Sequence, residues 1–241
     1  NDLVYDRRMI RIATSLQQSG SSVYLIGRKR KQSPPLASQP FRQKRLYCFF
    51  QRGKAFYLEY NLRLLLFLFF NKAGLYYAVD LDTLLPCLWA SRWYQRPCLY
   101  DAHEYFSHTP EVERRPLVQK VWAQIARYAI PRVQACLTVS VSLAQELERQ
   151  YGHPFEVVRN MPMRREVAFS EKEKNFTLIY QGALNEGRGL EHLIRALVEL
   201  PPEIQLWLVG EGDLSKNLRA LCDQLSLTSR VRFWGYQKPD K

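Results

Sequence analysis

Thr177–Leu197 reads TLIYQGALNEGRGLEHLIRAL, and this stretch decides the fold class. Thr177 to Tyr180 is an apolar run of strand length, and the loop after it holds Gly182, Gly187 and Gly189. Leu190, Leu193, Ile194 and Leu197 then recur at the spacing of one helical face. A glycine-rich strand-to-helix turn lets backbone approach a ligand closely, and a helix start offers unpaired N–H groups to an anion. Arg188 stands at that start and can clamp a phosphate as a planar fork. The pattern fits a phosphate or diphosphate site; it also fits a loop whose glycines only make the turn.

Outward from this unit, strand and helix alternate along the chain. Toward the N-terminus, strands are expected at Val23–Ile26, Leu46–Phe50, Leu75–Val79, Cys98–Tyr100, Ala135–Val139 and Phe155–Val158. Helices are expected after Asp6 (Met9, Ile10, Ala13 and Leu16 on one face, Gly20 closing it), over Phe56–Ala73, after Asp82 as a cap, and over Leu117–Ile130. Another is expected over Leu143–Tyr151 behind a Ser142/Gln145 capping box. Beyond the opening unit come a strand at Gln205–Val209, a helix at Leu214–Leu225 and a strand at Val231–Trp234. Such alternation predicts an α/β protein with parallel sheets and right-handed crossovers, whose ligands bind at the carboxyl ends of the strands. The polar clusters at Asp101–Glu104, Asn160, Gly182–Gly189 and Gly210–Gly212 all fall at such ends.

The charge is uneven. Of a net +12, residues 1–166 carry 25 Lys/Arg against 13 Asp/Glu, whereas residues 167–241 carry ten of each. A basic first part points to an anionic partner, a membrane surface or nucleic acid, or to no more than a soluble basic surface. No nucleic-acid motif is present. The basic run Arg28-Lys29-Arg30-Lys31, read as a loop, and the apolar Phe56–Ala73 segment are the parts that would meet anionic lipid. The five cysteines are scattered without a Cys-x-x-Cys pair, which predicts reduced core thiols, a cytoplasmic setting and no zinc site. No signal peptide and no run of bilayer-spanning length is seen.

Several single residues have two readings. His103, after a strand end and near Asp101 and Glu104, is a hydrogen-bonded loop histidine or a site residue. Asp101, Glu104 and Asp6 are site carboxylates or turn and helix caps. Asn160 forms a turn or positions a loop, and Glu211 belongs to a turn before a helix. Asp80-x-Asp82 resembles a metal-binding pair, but a helix cap explains it more simply and no metal is expected.

Taken in order, several pieces resemble the retaining GT-B glycosyltransferases of family 4. They are Asn1-Asp2 with Tyr5-Asp6-Arg7-Arg8, Gly27-Arg28-Lys29, Asp80 to Pro86, Tyr100 to Glu104, Val158 to Pro162, Tyr180-Gln181-Gly182, Gly187-Arg188-Gly189 and Val209 to Gly212. The resemblance implies two Rossmann-like lobes facing across a cleft: residues 1–163 on the acceptor side, a linker at 164–175, and 176–241 as a partial nucleotide-sugar lobe. It implies a metal-independent transfer that retains anomeric configuration, with a nucleotide-sugar as substrate and no further cofactor. The acceptor would be a glycan or a lipid-linked sugar. His103 and Arg188 are the implied catalytic residues. Gly182, Asn185, Gly187, Gly189, Asn160, Gly210 and Glu211 are the implied donor-binding set, and Asp2, Asp6, Asp101 and Glu104 lie on the acceptor side.

The sequence departs from the family where Ala183 replaces an arginine, leaving Arg188 at the position of a diphosphate-binding lysine. A first strand is expected ahead of Asn1 and a Glu-x7-Glu element beyond Lys241, so the chain is expected to be a fragment. The enzyme would be cytoplasmic or peripheral on the inner face of a membrane. A GT-B sugar-nucleotide epimerase, and a non-catalytic basic membrane- or nucleic-acid-binding protein, are the alternative readings.

Overall fold

The computed structural model describes residues 1–4, 6–106, 115–161 and 176–237. The chain forms two compact units, Asn1–Met163 and Arg164–Lys241. The linker expected at 164–175 lies outside the described residues.

The first unit opens with helix α1 (Arg7–Gln18), started by Asp6, whose carboxylate accepts the Met9 N–H at 3.1 Å. Strands β1 (Tyr24–Lys29) and β2 (Arg42–Tyr47) pair in parallel. Here the structure corrects the sequence reading. Arg28 and Lys29 belong to β1 rather than to a basic loop, and β2 begins at Arg42 rather than Leu46. The reason is physical: β2 is an edge strand carrying Arg42, Lys44 and Arg45, a charged pattern that keeps edges from pairing with other chains and hides the strand from an apolar-run reading.

Helix α2 (Gly53–Phe70) buries Phe56, Tyr60, Leu64 and Leu68, one residue per turn. It stops short of Ala73 because the Asn71 side chain turns back to donate to the Phe67 carbonyl at 2.8 Å. Strand β3 (Tyr76–Val79) leads through a 3-10 turn into helix α3 (Leu84–Trp93). Asp82 lies inside that turn and caps nothing; the cap position of α3 is Thr83. Strand β4 (Cys98–Ala102) runs two residues further than expected and so includes Asp101. Helix α4 (Pro116–Ala129) starts on a proline, which has no N–H to leave unpaired. Strand β5 (Ala135–Thr138), helix α5 (Val141–Tyr151) and strand β6 (Phe155–Val157) complete the unit. The cap of α5 is Ser140, accepting the Leu143 N–H, in place of the expected Ser142/Gln145 box. Strands β3-β4-β5-β6 lie side by side in sequence order, all parallel, in a sheet separate from β1-β2.

The second unit is a three-stranded parallel sheet in the order β7 (Thr177–Gln181), β8 (Gln205–Val209), β9 (Val231–Gly235). Helices α6 (Leu190–Ala196) and α7 (Ser215–Gln224) bury Leu190, Ile194 and Leu218 against Leu206 and Leu208. Ile179 remains 63% exposed, and Trp207 and Trp234 pack on each other beside the Arg232 guanidinium. Parallel sheets are normally covered on both faces, and among the described residues only one face of this sheet is. All five cysteines are buried and unpaired. No helix among the described residues is long and apolar enough to cross a membrane.

Candidate functional site

In the first unit the carboxyl ends of β3 and β4 carry a charged cluster. Asp101, fully buried, accepts two forked bonds from Arg8 (Nη2–Oδ1 2.8 Å, Nε–Oδ2 3.2 Å) and one from the Tyr77 hydroxyl at 2.7 Å. Arg8 reaches on to the Val158 carbonyl at 2.8 Å, so α1, β3, β4 and the exit of β6 are tied at one point. His103 sits on the solvent side of this knot with its side chain 22% exposed. Its Nε2 lies 3.2 Å from Asp101 Oδ2 and its Nδ1 3.7 Å from Asp80 Oδ2, while its backbone N–H donates to Asp80 Oδ1 at 3.2 Å. Asp80 holds this position with φ +58, a left-handed backbone costly for any residue but glycine, and its own N–H donates to the Asp101 carbonyl.

The protonation states follow from these contacts. Burial works against a charged His103 ring, but the hydrogen bond to Asp101 and the field of Asp80 outweigh it, and the imidazole is raised above its ordinary 6.5. Burial likewise works against the Asp101 carboxylate, yet donation from His103, Arg8 and Tyr77 wins, and it is lowered. Asp80 is raised, chiefly by burial. Linkage gives the signs. The His103 contribution to stability is full below about 6.5 and is lost as pH rises through the folded value. The Asp101 contribution is full above about 3.9 and is lost as pH falls through the folded value. Proton NMR titration is expected to place the His103 ring above 6.5; a midpoint at or below that figure would contradict the two-carboxylate clamp.

The sequence-expected residues distribute unevenly around this knot. Asp101 is corrected from an acceptor-side group to an internal one, because no part of it reaches solvent. Asp6 serves as the α1 cap and also takes the Asn1 amide. Asp2 accepts Ser33 Oγ at 3.0 Å and the Val4 N–H. Glu104 is exposed. Asn160 is exposed and accepts from Arg11. A cavity of about 290 Å³ lies between Ile26 of β1 and Val79 of β3, bounded by Asp6, Asp80, Asp82 and Arg28. The sequence did not single out Arg8 and Tyr77 as partners of Asp101, or Asp80 as a partner of His103. Arg7, Arg8 and Arg11 look alike along the chain, and only the fold turns Arg8 inward.

In the second unit the loops after β7 and β8 are laced to each other and to the ends of β8 and β9. The Gly182 N–H donates to the Val209 carbonyl at 3.0 Å, Leu184 N–H to the Glu211 carbonyl at 3.2 Å, and Gly210 N–H to the Gly235 carbonyl at 2.9 Å. The Asp213 N–H donates to Asn185 Oδ1 at 3.1 Å. Gly210 and Gly212 are glycines because these loops touch: a Cβ on Gly212 would lie 2.3 Å from Asn185 Oδ1 and 2.5 Å from the Leu184 carbonyl oxygen. Glu211 is half-exposed and accepts Ser215 Oγ at 2.6 Å. Gly187 and Gly189 have φ +82 and +70, and Gly189 precedes α6. With seven residues α6 carries a small dipole, so the anion-binding capacity of this turn rests on loop N–H groups and on Arg188. Arg188 is exposed and has no ion pair among the described residues.

Comparison with known proteins follows the same division. Residues 6–161 match the Glycosyltransferase Family 4 profile and residues 164–241 the Glycosyl transferases group 1 profile. A curated relative, the lipopolysaccharide core biosynthesis glycosyltransferase LpsD of Rhizobium meliloti (strain 1021), is 31% identical over 116 residues, 46% of this chain and 33% of that protein. Among solved structures, Anabaena HepE in complex with UDP and glucose superposes with a TM-score of 0.63 at 18% identity, over 95% of this chain and 65% of that one. Sucrose-phosphate synthase from Thermosynechococcus elongatus gives 0.67 at 14%, over 95% and 64%. The chain thus spans about a third of LpsD and just under two thirds of the solved chains. These likenesses establish the GT-B fold class, and the chain belongs to Glycosyltransferase Family 4.

Proposed function

We propose that the parent protein transfers a glycosyl group from a nucleotide-sugar to a glycan or lipid-linked acceptor, with retention of anomeric configuration and without a metal. The observation that carries this reading is the laced glycine turn after β7, with Arg188 exposed beside it. The naming of UDP and glucose in the HepE complex, and of lipopolysaccharide core synthesis in LpsD, supports the donor class and a cell-surface glycan as product. In the reaction the acceptor oxygen forms a bond to the anomeric carbon as the bond from that carbon to the diphosphate oxygen breaks. The electron pair leaves on the diphosphate, and a phosphate oxygen of the donor takes the acceptor's proton.

Within the second unit, Arg188 and the amides of Asn185, Gly187 and Gly189 stabilise the charge building on the leaving diphosphate, which is electrostatic catalysis, while Gly182, its N–H taken by the Val209 carbonyl, lets the backbone turn beside them. Gly210 and Glu211 shape this site from the neighbouring loop. Within the first unit, His103, positioned by Asp101 and Asp80, orients the donor sugar through its exposed edge, with Asn160 on a neighbouring loop. Asp2, Asp6 and Glu104 are assigned to the acceptor side. Asp101 is a positioning residue. The enzyme works from the cytoplasmic side of a membrane as a peripheral protein and needs neither nucleic acid nor a separate cofactor.

Calorimetric titration of the chain with UDP, GDP and ADP tests the donor site. At least one is expected to bind, and Arg188→Ala is expected to weaken it about tenfold, the loss of one charge-assisted contact. No heat with any nucleoside diphosphate, or a variant that binds as well as the parent, would remove the reading.

A further inference from the structure

Helix α2 is apolar on two opposite sides. Its buried side carries Phe56, Tyr60, Leu64 and Leu68; its outer side carries Leu58, Leu62, Leu66 and Phe70, exposed to 74%, 56%, 48% and 85%. A helix apolar all round belongs inside a large protein or in a membrane, and this one has one side uncovered. Helix α3 adds Trp89 and Trp93, one turn apart and 44% and 73% exposed, and α4 adds Leu117 and Val121, 74% and 54% exposed. Between the three helices runs an open groove of about 840 Å³, walled by Tyr57, Leu62, Trp89, Leu117 and Val121. Apolar surface of this continuity is not left facing water without a partner.

The charges on the same helices say which partner. Helices α2, α3 and α4 carry Lys54, Arg63, Arg92, Lys120 and Arg127 against one carboxylate, Glu59. Glu59 is already held by Arg63 and by the Phe49 and Phe50 N–H groups. Arg52, Arg96 and Arg115 stand just outside the helix ends, and of all these cations Lys54 and Arg115 border the groove itself. Pairing with a second copy would set cation against cation. An anionic lipid surface accepts both features at once: leucines and tryptophans enter the headgroup–acyl boundary while Lys and Arg snorkel to phosphate.

We propose that the α2–α3–α4 face is the membrane-docking surface of this protein, that it seats on a bilayer containing anionic lipid, and that acyl chains fill the groove. This deepens the peripheral placement proposed above and rests on it. It keeps the Phe56–Ala73 segment of the sequence expectation, now α2, and drops Arg28. Arg28, expected from the sequence to meet lipid from a loop, instead lies in β1 with its guanidinium 4.4 Å over the Phe56 ring.

The test is co-sedimentation of the chain with phosphatidylcholine vesicles and with vesicles carrying about 30 mol % phosphatidylglycerol. Binding to the anionic vesicles is expected to be at least tenfold stronger. It is expected to fall at least tenfold in a Leu62→Glu, Leu117→Glu variant, whose two sites are exposed and whose circular dichroism melt is expected to match the parent. Brominated lipid is expected to quench Trp89 and Trp93 fluorescence. Absence of binding to anionic vesicles, equal binding to both vesicle types, or binding indifferent to the double variant would overturn the proposal. So would self-association in sedimentation velocity that the double variant abolishes, which would assign the face to a second copy. Nucleoside diphosphate heats are expected to be unchanged in the variant, so a failed docking surface and a failed donor site give different results.

Discussion

Gly210→Ala is expected to unfold the second unit while leaving the first intact. A Cβ built on Gly210 lies 1.9 Å from the Gly182 carbonyl oxygen and 2.9 Å from its carbon. Both are backbone atoms and cannot rotate aside as a side-chain tip would. The backbone at Gly210 also has φ +144, which L side chains rarely adopt. Nor can the loops separate cheaply, because the Gly182 N–H is committed to Val209 and the Gly210 N–H to Gly235. Overpacking of this kind costs about 3 kcal/mol or more, a large fraction of what a small unit has to spare. Two compact units need not melt together, so one global transition is a poor readout. Hydrogen exchange resolved by peptide is the suitable measurement, with protection expected to vanish over β7, β8 and β9 and to persist over β3 to β6. Gly74→Ala is the control: its Cβ would meet nothing within 4 Å, and its φ is not left-handed. Unchanged protection of β7–β9 in Gly210→Ala would refute the steric argument.

The second large effect is expected at the buried ion pair. Asp101→Leu leaves the Arg8 guanidinium, 7% exposed, without its carboxylate, and breaking such a pair from one side costs about 3–5 kcal/mol. Arg8→Met combined with Asp101→Leu removes both charges and is expected to recover part of that loss, since a buried pair of charges stabilises little over apolar residues of similar volume. The recovery is incomplete because Tyr77 and His103 lose an acceptor in either variant. The double variant therefore separates stability from function. Urea unfolding of the first unit is expected to approach the parent, while the His103 ring loses the contact that raises it and titrates lower. A single variant as stable as the parent, or a double variant whose His103 titration is unmoved, would show that the pair does not hold the histidine.

Much of the architecture was legible in the chain. Apolar runs and helical spacings have a short-range cause, the burial of one face of each element, so Thr177–Leu197, Leu117–Ile130 and Gln205–Val209 were located to within a residue or two. Where charge replaced hydrophobicity the reading failed. β2 is basic because it is an edge, and β1 continues into Arg28 and Lys29 because β2 pairs with it.

The site divides in the same way. Residue types and their order along the chain are enough to identify a strand-end histidine, a glycine turn with one arginine, and the family to which they belong. Which groups meet is decided by contacts distant in sequence, and those exist only once the strands are laid side by side. Arg8 reaches Asp101 across 93 positions and Val158 across 150. Gly210 is a glycine because the Gly182 carbonyl presses on it from a neighbouring loop. The sequence by itself determined the periodic elements and the local chemistry at their ends; only the tertiary structure decided which carboxylates clamp His103 and which side of α2 stays uncovered, because burial and pairing are properties of neighbours in space.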